Sequence, residues 1–152
     1  MKYIKLFENW TYSEKIKDIV TECEQILRDL EEFGFTIEVD AYYDMEGYYD
    51  IKIESNNSFK LEEIESRIKH LFSYLHEDEK IGLYNVLTFS PDRENGRPND
   101  TNNGNITNNG DTLTSERYKF NANLNNSDLL LKTLPDIKYQ FIKLYFRQNF
   151  YD

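Results

Sequence analysis

Apolar residues recur at steps of three and four between residues 11 and 33, which is the spacing of an amphipathic helix. Thr11 followed by Glu14 has the form of a capping box, and Gly34 stands where a C′ glycine ends a helix. The apolar side consists of Ile16, Ile19, Val20, Cys23, Ile26, Leu27, Leu30 and Phe33. The opposite side carries an acidic strip made of Glu14, Asp18, Glu22, Asp29 and Glu32. The strip is either an ordinary solvated face or a docking surface for a basic partner.

The spacing of apolar residues changes directly after Gly34, from the helical period of 3.6 to the strand period of two. Phe35 to Tyr43 alternates apolar and polar residues, and alternation resumes after a short loop that ends at Gly47. In the second run Tyr49, Ile51 and Ile53 point one way, and Tyr48, Asp50, Lys52 and Glu54 point the other. This pattern predicts a β-hairpin with one apolar face and one polar, aromatic face.

Further elements predict an α+β fold. Helical spacing recurs from Leu61 to about Glu77, and strands are predicted at Leu83–Phe89 and Ser115–Ala122. We expect a two-layer sandwich in which an antiparallel sheet of about four strands carries the helices on one face. Residues 1–10 are expected to form a short strand, a short helix or a loose arm, and residues 11–152 are expected to form a single domain. If they form a strand, the order is a ferredoxin-like βαββαβ unit.

The C-terminal segment is predicted to be a helix that begins near Thr133, with Pro135 in its first turn. Apolar residues then fall on both sides of that helix, which indicates burial between layers or contact with another molecule. The second possibility makes this helix a partner-binding surface for another protein or a second copy. Its predicted contact residues are Tyr139, Ile142, Phe146 and Phe150, with Lys143 and Arg147 available to acidic groups of a partner.

Residues 91–112 are poor in apolar side chains and rich in Asn, Gly and Asp. A connection of this length is uncommon inside a domain, so a flexible insertion between two strands is expected. Its Asp and Asn residues suggest calcium, but the spacing after Asp100 and Asn102 departs from an EF-hand loop and the distal Glu is absent. No metal site is therefore assigned there.

Charge separates the two parts of this 152-residue chain, whose net charge is −10. Residues 1–90 hold 10 basic and 20 acidic side chains, whereas residues 91–152 hold 8 of each. This balance argues against direct binding to nucleic acid or to anionic membranes, which requires clustered Lys and Arg. No apolar run has the length of a membrane span, and Cys23 is expected to be a buried hydrophobe.

No catalytic motif is recognisable, and no cofactor is predicted. His70 and His76 are too far from an i, i+4 spacing to share a metal ion on a helix. The carboxylates Asp40, Asp44, Glu46 and Asp50 cluster around the hairpin tip among tyrosines. Such a cluster binds a divalent cation in some proteins, but more often it keeps a sheet edge soluble.

The first ten residues, Met1 to Trp10, resemble the openings of many small, uncharacterised proteins of large tailed bacteriophages. Some internal head proteins of such phages begin with a comparable leader, and Leu6-Phe7-Glu8 is similar to the site at which their prohead protease cuts. The resemblance implies a phage accessory or virion component, located in the host cytoplasm or the virion.

Three functions follow from these observations as hypotheses. The first is a non-enzymatic protein–protein interaction or structural module. The second is an acidic inhibitor of a host defence protein that acts as a nucleic-acid mimic, and it requires the acidic strip to be exposed and continuous with the hairpin carboxylates. The third, a metal-dependent enzyme at the hairpin tip, has the least support.

Overall fold

A computed structural model describes the backbone of residues 2–42, 47–91, 104–108 and 111–148, and the side chains of residues 14–42, 47–91 and 114–148. The elements in chain order are α1 (Lys2–Glu31), β1 (Phe35–Ala41), β2 (Tyr48–Lys60), α2 (Glu65–Phe72), β3 (Ile81–Ser90), β4 (Gly104–Asn108), β5 (Asp111–Lys119), α3 (Ser127–Thr133) and β6 (Lys138–Gln148). A 3₁₀ turn at Leu61–Ile64 precedes α2, and a π-helical turn at Ser73–Asp78 follows it.

The first helix is longer than the sequence pattern predicts. It begins at Lys2, so of the three alternatives for the first ten residues, strand, helix or arm, residues 2–10 adopt the helical one and are continuous with the predicted helix. Neither Gly nor Pro occurs before Gly34, so no backbone effect interrupts the helix at Thr11. The end is as predicted, because Gly34 takes a φ of +91° and its N–H donates to the carbonyl of Glu31.

One six-stranded sheet forms the second layer, in the order β1-β2-β6-β3-β5-β4, with every neighbouring pair antiparallel. The α+β sandwich is confirmed, although the sheet has more strands than expected. The ferredoxin-like order required a strand within residues 1–10, but residues 2–10 are part of α1. The chain instead adopts the related open two-layer arrangement, with β6 in the middle of the sheet.

The predicted C-terminal helix is wrong, since Lys138–Gln148 is strand β6. Its buried positions alternate, with Ile142, Leu144 and Phe146 on one face and Lys143 and Tyr145 on the other. Aromatic and β-branched residues favour such a strand. The helical pattern arose because aromatic side chains occur on both faces of the strand, so steps of three and four fit them as well as steps of two.

The expected insertion is partly a β-hairpin. Residues 92–103, 109 and 110 lie outside the described residues, but 104–108 form β4 and β5 begins at Asp111. The fourth predicted strand, Ser115–Ala122, therefore corresponds to the second half of β5 and the turn that follows it. That turn packs tightly on β3, because the carbonyl oxygen of Ala122 occupies the place that a Cβ on Gly82 would take.

The core lies between the helices and one face of the sheet. The apolar side of α1 is buried as predicted, apart from half-buried Val20 and exposed Phe33. Phe72 of α2 meets Phe146 of β6 edge to face at 5.3 Å, which fixes the helices against the centre of the sheet. Cys23 belongs to this core, and burial among nearby carboxylates raises the pKa of its thiol to about 12.

Candidate functional site: the open face of the sheet

The second face of the sheet carries no described helix. Strand alternation sends Tyr49, Ile51 and Ile53 of β2 into the core, while their neighbours Tyr48 and Lys52 are only half-buried. The same alternation in β6 exposes the side opposite Ile142, Leu144 and Phe146. We call this second side the open face, and its central residues are Tyr48, Asp50, Lys52, Glu54, Tyr84, Asn85, Leu87, Phe89, Arg117, Lys119, Phe141, Lys143, Tyr145 and Arg147.

Strand register arranges these side chains in rows across the sheet. One row runs from Lys52 through Lys143 and Leu87 to Arg117. The next row runs from Asp50 through Tyr145 and Asn85 to Lys119. The rows bring together residues from four strands that are distant in sequence, so positive charge collects on the β6-β3-β5 part of the face.

Cationic groups of the open face lie over its aromatic rings. The Lys52 ammonium is 4.6 Å from the centroid of the Phe141 ring, and that of Lys143 is 5.3 Å from the Tyr145 ring. The guanidinium groups of Arg117 and Arg147 lie 6.0 Å from Tyr145 and 5.9 Å from Tyr84. Each such contact contributes about 0.5–1 kcal/mol at an exposed site. Lys52 and Lys143 are also paired with the carboxylates of Glu54 and Asp50, at 3.5 Å and 3.7 Å. The rings hold Arg117 and Arg147 in place without neutralising them, so these two guanidinium groups remain available to an anionic group.

The rings also contact one another. Tyr48 and Tyr84 meet edge to face at 5.9 Å, and Tyr84 lies 6.3 Å from Tyr145. Burial, together with the nearby Asp50 carboxylate, raises the pKa of Tyr84, so this phenol stays protonated at neutral pH. The centre of the face is therefore a connected group of tyrosines with cations around it.

Asp50 is a buried carboxylate at the edge of this group, with 3% of its surface exposed. The Lys143 ammonium lies 3.7 Å from its Oδ2, and the Tyr42 hydroxyl donates a hydrogen bond to the same oxygen. That hydrogen bond, with some burial, raises the pKa of Tyr42 to about 12. The pair of contacts fixes the Lys143 side chain on the open face, since a buried carboxylate needs a charged or hydrogen-bonded partner.

Three cations of the open face make no ion pair with any described carboxylate. Within the described part of the chain, no carboxylate lies within ion-pair distance of Arg117, Lys119 or Arg147. In the same region, the buried side-chain carbonyl oxygen of Asn85 has no hydrogen-bond partner. Unpaired buried polar atoms are uncommon in native proteins, but this oxygen is shielded from solvent and is therefore not a contact point for a partner.

The predicted partner-binding residues divide between the two faces. Tyr139, Ile142 and Phe146 are 1%, 0% and 1% exposed, so the expectation that they are available to a partner is wrong. Lys143 and Arg147 do lie on the open face. Phe150 lies outside the described residues. The sequence did not predict that tyrosines of β2, β3 and β6 form one surface. The polar, aromatic side of the β1–β2 hairpin indicated only the β2 part of it.

The acidic strip of α1 lies on the far side of the molecule from the open face. All five of its residues, Glu14, Asp18, Glu22, Asp29 and Glu32, are exposed. Asp29 pairs with Arg67 of α2 at 2.6 Å. The hairpin carboxylates Asp40 and Asp50 belong to the open face, and Asp44 and Glu46 lie outside the described residues. The continuity that the nucleic-acid-mimic hypothesis requires is therefore not present between the strip and Asp40 or Asp50.

Several other kinds of site find no support within the described residues. No three His, Cys, Asp or Glu side chains of these residues approach closely enough to hold a metal ion. No helix among them is both long enough and apolar enough to cross a membrane. The Asp and Asn positions of 92–103, which suggested calcium, lie outside this part of the chain.

Comparisons with known proteins give no indication of function, so the function is inferred from the residues described above. No protein-family profile matches the chain, no curated protein is significantly similar to it in sequence, and no solved structure is significantly similar to it.

Proposed function

We propose that the protein is a non-enzymatic interaction module whose open face binds an acidic segment of a protein partner. The observation that carries this proposal is the set of cations held over tyrosine and phenylalanine rings on a sheet face that no described helix covers. Antiparallel sheets often expose one face to water, so exposure alone is insufficient support. The composition of the face is the stronger support, because Tyr, Phe and Arg are enriched where proteins contact one another.

The charge of the face favours an acidic partner. Arg117, Lys119 and Arg147 stand in a chain whose net charge is −10, so they form a local exception to its overall field. Complementary charge increases the rate of encounter and fixes the register of a complex. A partner that presents carboxylates beside an apolar or aromatic side chain matches both components of the face.

The biological setting in this proposal is a tailed phage, in which the protein is an accessory or virion component in the host cytoplasm or the particle. Its support is the resemblance of Met1 to Trp10 to the openings of small phage proteins. Co-purification of the chain with phage particles or with one host protein is the measurement that tests this setting.

Site-specific photo-crosslinking tests the binding surface. A photoreactive phenylalanine analogue placed at Tyr48 or Tyr145 is expected to form a covalent adduct with a protein in the native host. The matched control carries the same analogue at Glu24, which is exposed on α1. The adduct should disappear when Arg117→Glu and Arg147→Glu are added, since they reverse the charge of the face and leave the core unchanged.

The result that would overturn the proposal is an adduct yield at Tyr48 and Tyr145 no higher than at Glu24. An adduct with nucleic acid instead of protein would overturn it as well. Circular dichroism and thermal unfolding of each variant must first establish that the chain is folded.

A further inference from the structure

We infer that the open face of one copy binds the acidic strip and Phe33 of a second copy, head to tail. This inference rests on the proposed function and identifies the partner as the chain itself. Both surfaces belong to one molecule, but they lie on opposite sides of the sandwich. The open face and the acidic strip of a single chain therefore cannot contact each other.

Phe33 gives the acidic surface an apolar contact point. It follows the last turn of α1 and is 75% exposed, although it continues the apolar spacing of the helix. Glu32 and Asp29 lie beside it, together with Arg67, around a cleft of about 440 Å³. Asp29 is already paired with Arg67, so Glu32 supplies the carboxylate beside this exposed phenylalanine that the aromatic, cationic open face would receive.

The dimensions of the two surfaces agree. The part of the strip nearest Phe33, from Glu22 to Glu32, spans about 15 Å, since an α-helix rises about 1.5 Å per residue. On the open face, the row from Lys52 to Arg117 crosses four strands and spans about 14 Å, because neighbouring strands lie about 4.8 Å apart. A helix laid across the strands thus brings several carboxylates close to cations of one row.

The proposed contact uses different surfaces on the two copies. Such a contact leaves one free face and one free strip on every dimer, so further copies can add until a ring closes. The association is therefore expected to increase with protein concentration and to weaken with salt, because both surfaces are charged and solvent-exposed.

A charge swap tests the inference by sedimentation velocity of the full chain. The face variant is Arg117→Glu with Arg147→Glu, and the strip variant is Glu22→Lys with Glu32→Lys. Wild type should associate at low ionic strength, whereas each variant alone should associate at least about tenfold more weakly. An equimolar mixture of the two variants should associate again, since each altered surface then meets one of opposite charge.

The control for net charge is Asp78→Lys with Asp128→Lys, both at exposed positions outside the strip. It should associate as wild type does. Replacement of Phe33 by Ser should also weaken association without a change in charge.

The outcomes separate this inference from the proposed function. A wild-type chain that remains monomeric at all concentrations overturns the inference, as does association that survives in the strip variant or a mixture that fails to associate. If the photo-crosslinks then join Tyr145 to a different protein, the proposed function stands without it. Binding of a single-stranded oligothymidylate to wild type and not to the face variant overturns both.

Discussion

At the scale of single residues, Asp50 determines the local chemistry of the open face. Its carboxylate is nearly as buried as the core, yet it lies on the side of the sheet that carries no described helix. Lys143 and Tyr42 provide its charged and hydrogen-bonded contacts. The position of one cation and one tyrosine on the face therefore depends on this one carboxylate.

The Tyr42–Asp50 hydrogen bond predicts a pH effect at high pH. The pKa of Tyr42 is raised from 10.0 in its unperturbed state to about 12 in the fold. A group with a raised pKa binds its proton more tightly in the native state, so its contribution to stability is complete below pH 10 and is lost as the pH rises towards 12. Asp50→Asn should return the Tyr42 pKa towards its ordinary value, as measured by NMR titration of the labelled phenol carbon. An unchanged pKa in that variant would contradict the assigned cause.

A double-mutant cycle tests the contact between Asp50 and Lys143. Lys143→Met keeps the length of the side chain but removes the charge that faces a buried carboxylate. We expect it to lower the free energy of unfolding by about 1–3 kcal/mol, because the carboxylate remains buried without its ionic partner. Asp50→Asn should cost less in the Lys143→Met background than in wild type, with a coupling of about 0.5–3 kcal/mol in urea unfolding. Additive losses would show that the two groups do not interact.

At the scale of elements, residues 120–126 join β5 to α3 over a point where β3 has no side chain. The Ala122 carbonyl oxygen occupies the space of a Cβ at Gly82, and the Asn126 side-chain amide donates to the carbonyl of Leu83 and to that of Asn121.

Gly82→Ala should therefore destabilise the fold by about 1–3 kcal/mol through backbone displacement. Gly34→Ala is the matched comparison, since nothing lies within 4 Å of its Cβ and only its φ of +91° opposes alanine. Equal and small losses for the two variants in thermal unfolding would contradict the close contact at Gly82.

Strand β6 predicts an alternation of mutational effects that a helix would not produce. Phe146 is 1% exposed and contacts Phe72, so Phe146→Ala should cost about 3–5 kcal/mol. Its neighbour Arg147 is exposed on the open face, and Arg147→Ala should cost no more than about 1 kcal/mol through the lost contact with Tyr84. Urea unfolding of both variants measures the difference. Comparable losses at the two positions would contradict the register of this strand.

Local pattern was sufficient for the elements whose two sides differ clearly. The acidic and apolar sides of α1, the alternation of the β1–β2 hairpin and the spacing before α2 all predict what is observed. The pattern failed for β6 because aromatic residues occur on both of its sides. It also contained no information on the position of β6 between β2 and β3, which depends on pairing between distant segments. The open face is assembled by that pairing, so only its β2 part was recognisable from sequence.

At the scale of the whole molecule, charge is distributed by layer. The exposed side of α1 carries the acidic strip, and the cations of β5 and β6 lie on the opposite face. The sheet therefore separates the acidic strip from the cations of β5 and β6 in a chain whose net charge is −10, while the β1–β2 part of the open face carries the carboxylates Glu38, Asp40, Asp50 and Glu54. The net charge makes copies repel at long range, whereas surfaces of unlike charge attract at short range. Salt weakens both effects.

The same distribution predicts how the stability of the isolated chain depends on salt. Like charges four residues apart on a helix repel by a few tenths of a kcal/mol, as for Asp18 with Glu22. At protein concentrations low enough to exclude association, added salt should raise the melting temperature of wild type by screening this repulsion. In the strip variant, Glu22→Lys turns the Asp18–Glu22 repulsion into an attraction. At Glu32→Lys the gain against Asp29 is offset by the loss of the favourable Arg28–Glu32 spacing, so the net benefit comes from Glu22 and from the smaller net charge. The strip variant should therefore melt higher than wild type at low salt and respond less to added salt, as measured by differential scanning fluorimetry. A strip variant that melts at a lower temperature than wild type would show that the acidic strip stabilises the fold, and it would contradict the repulsion assigned to the strip.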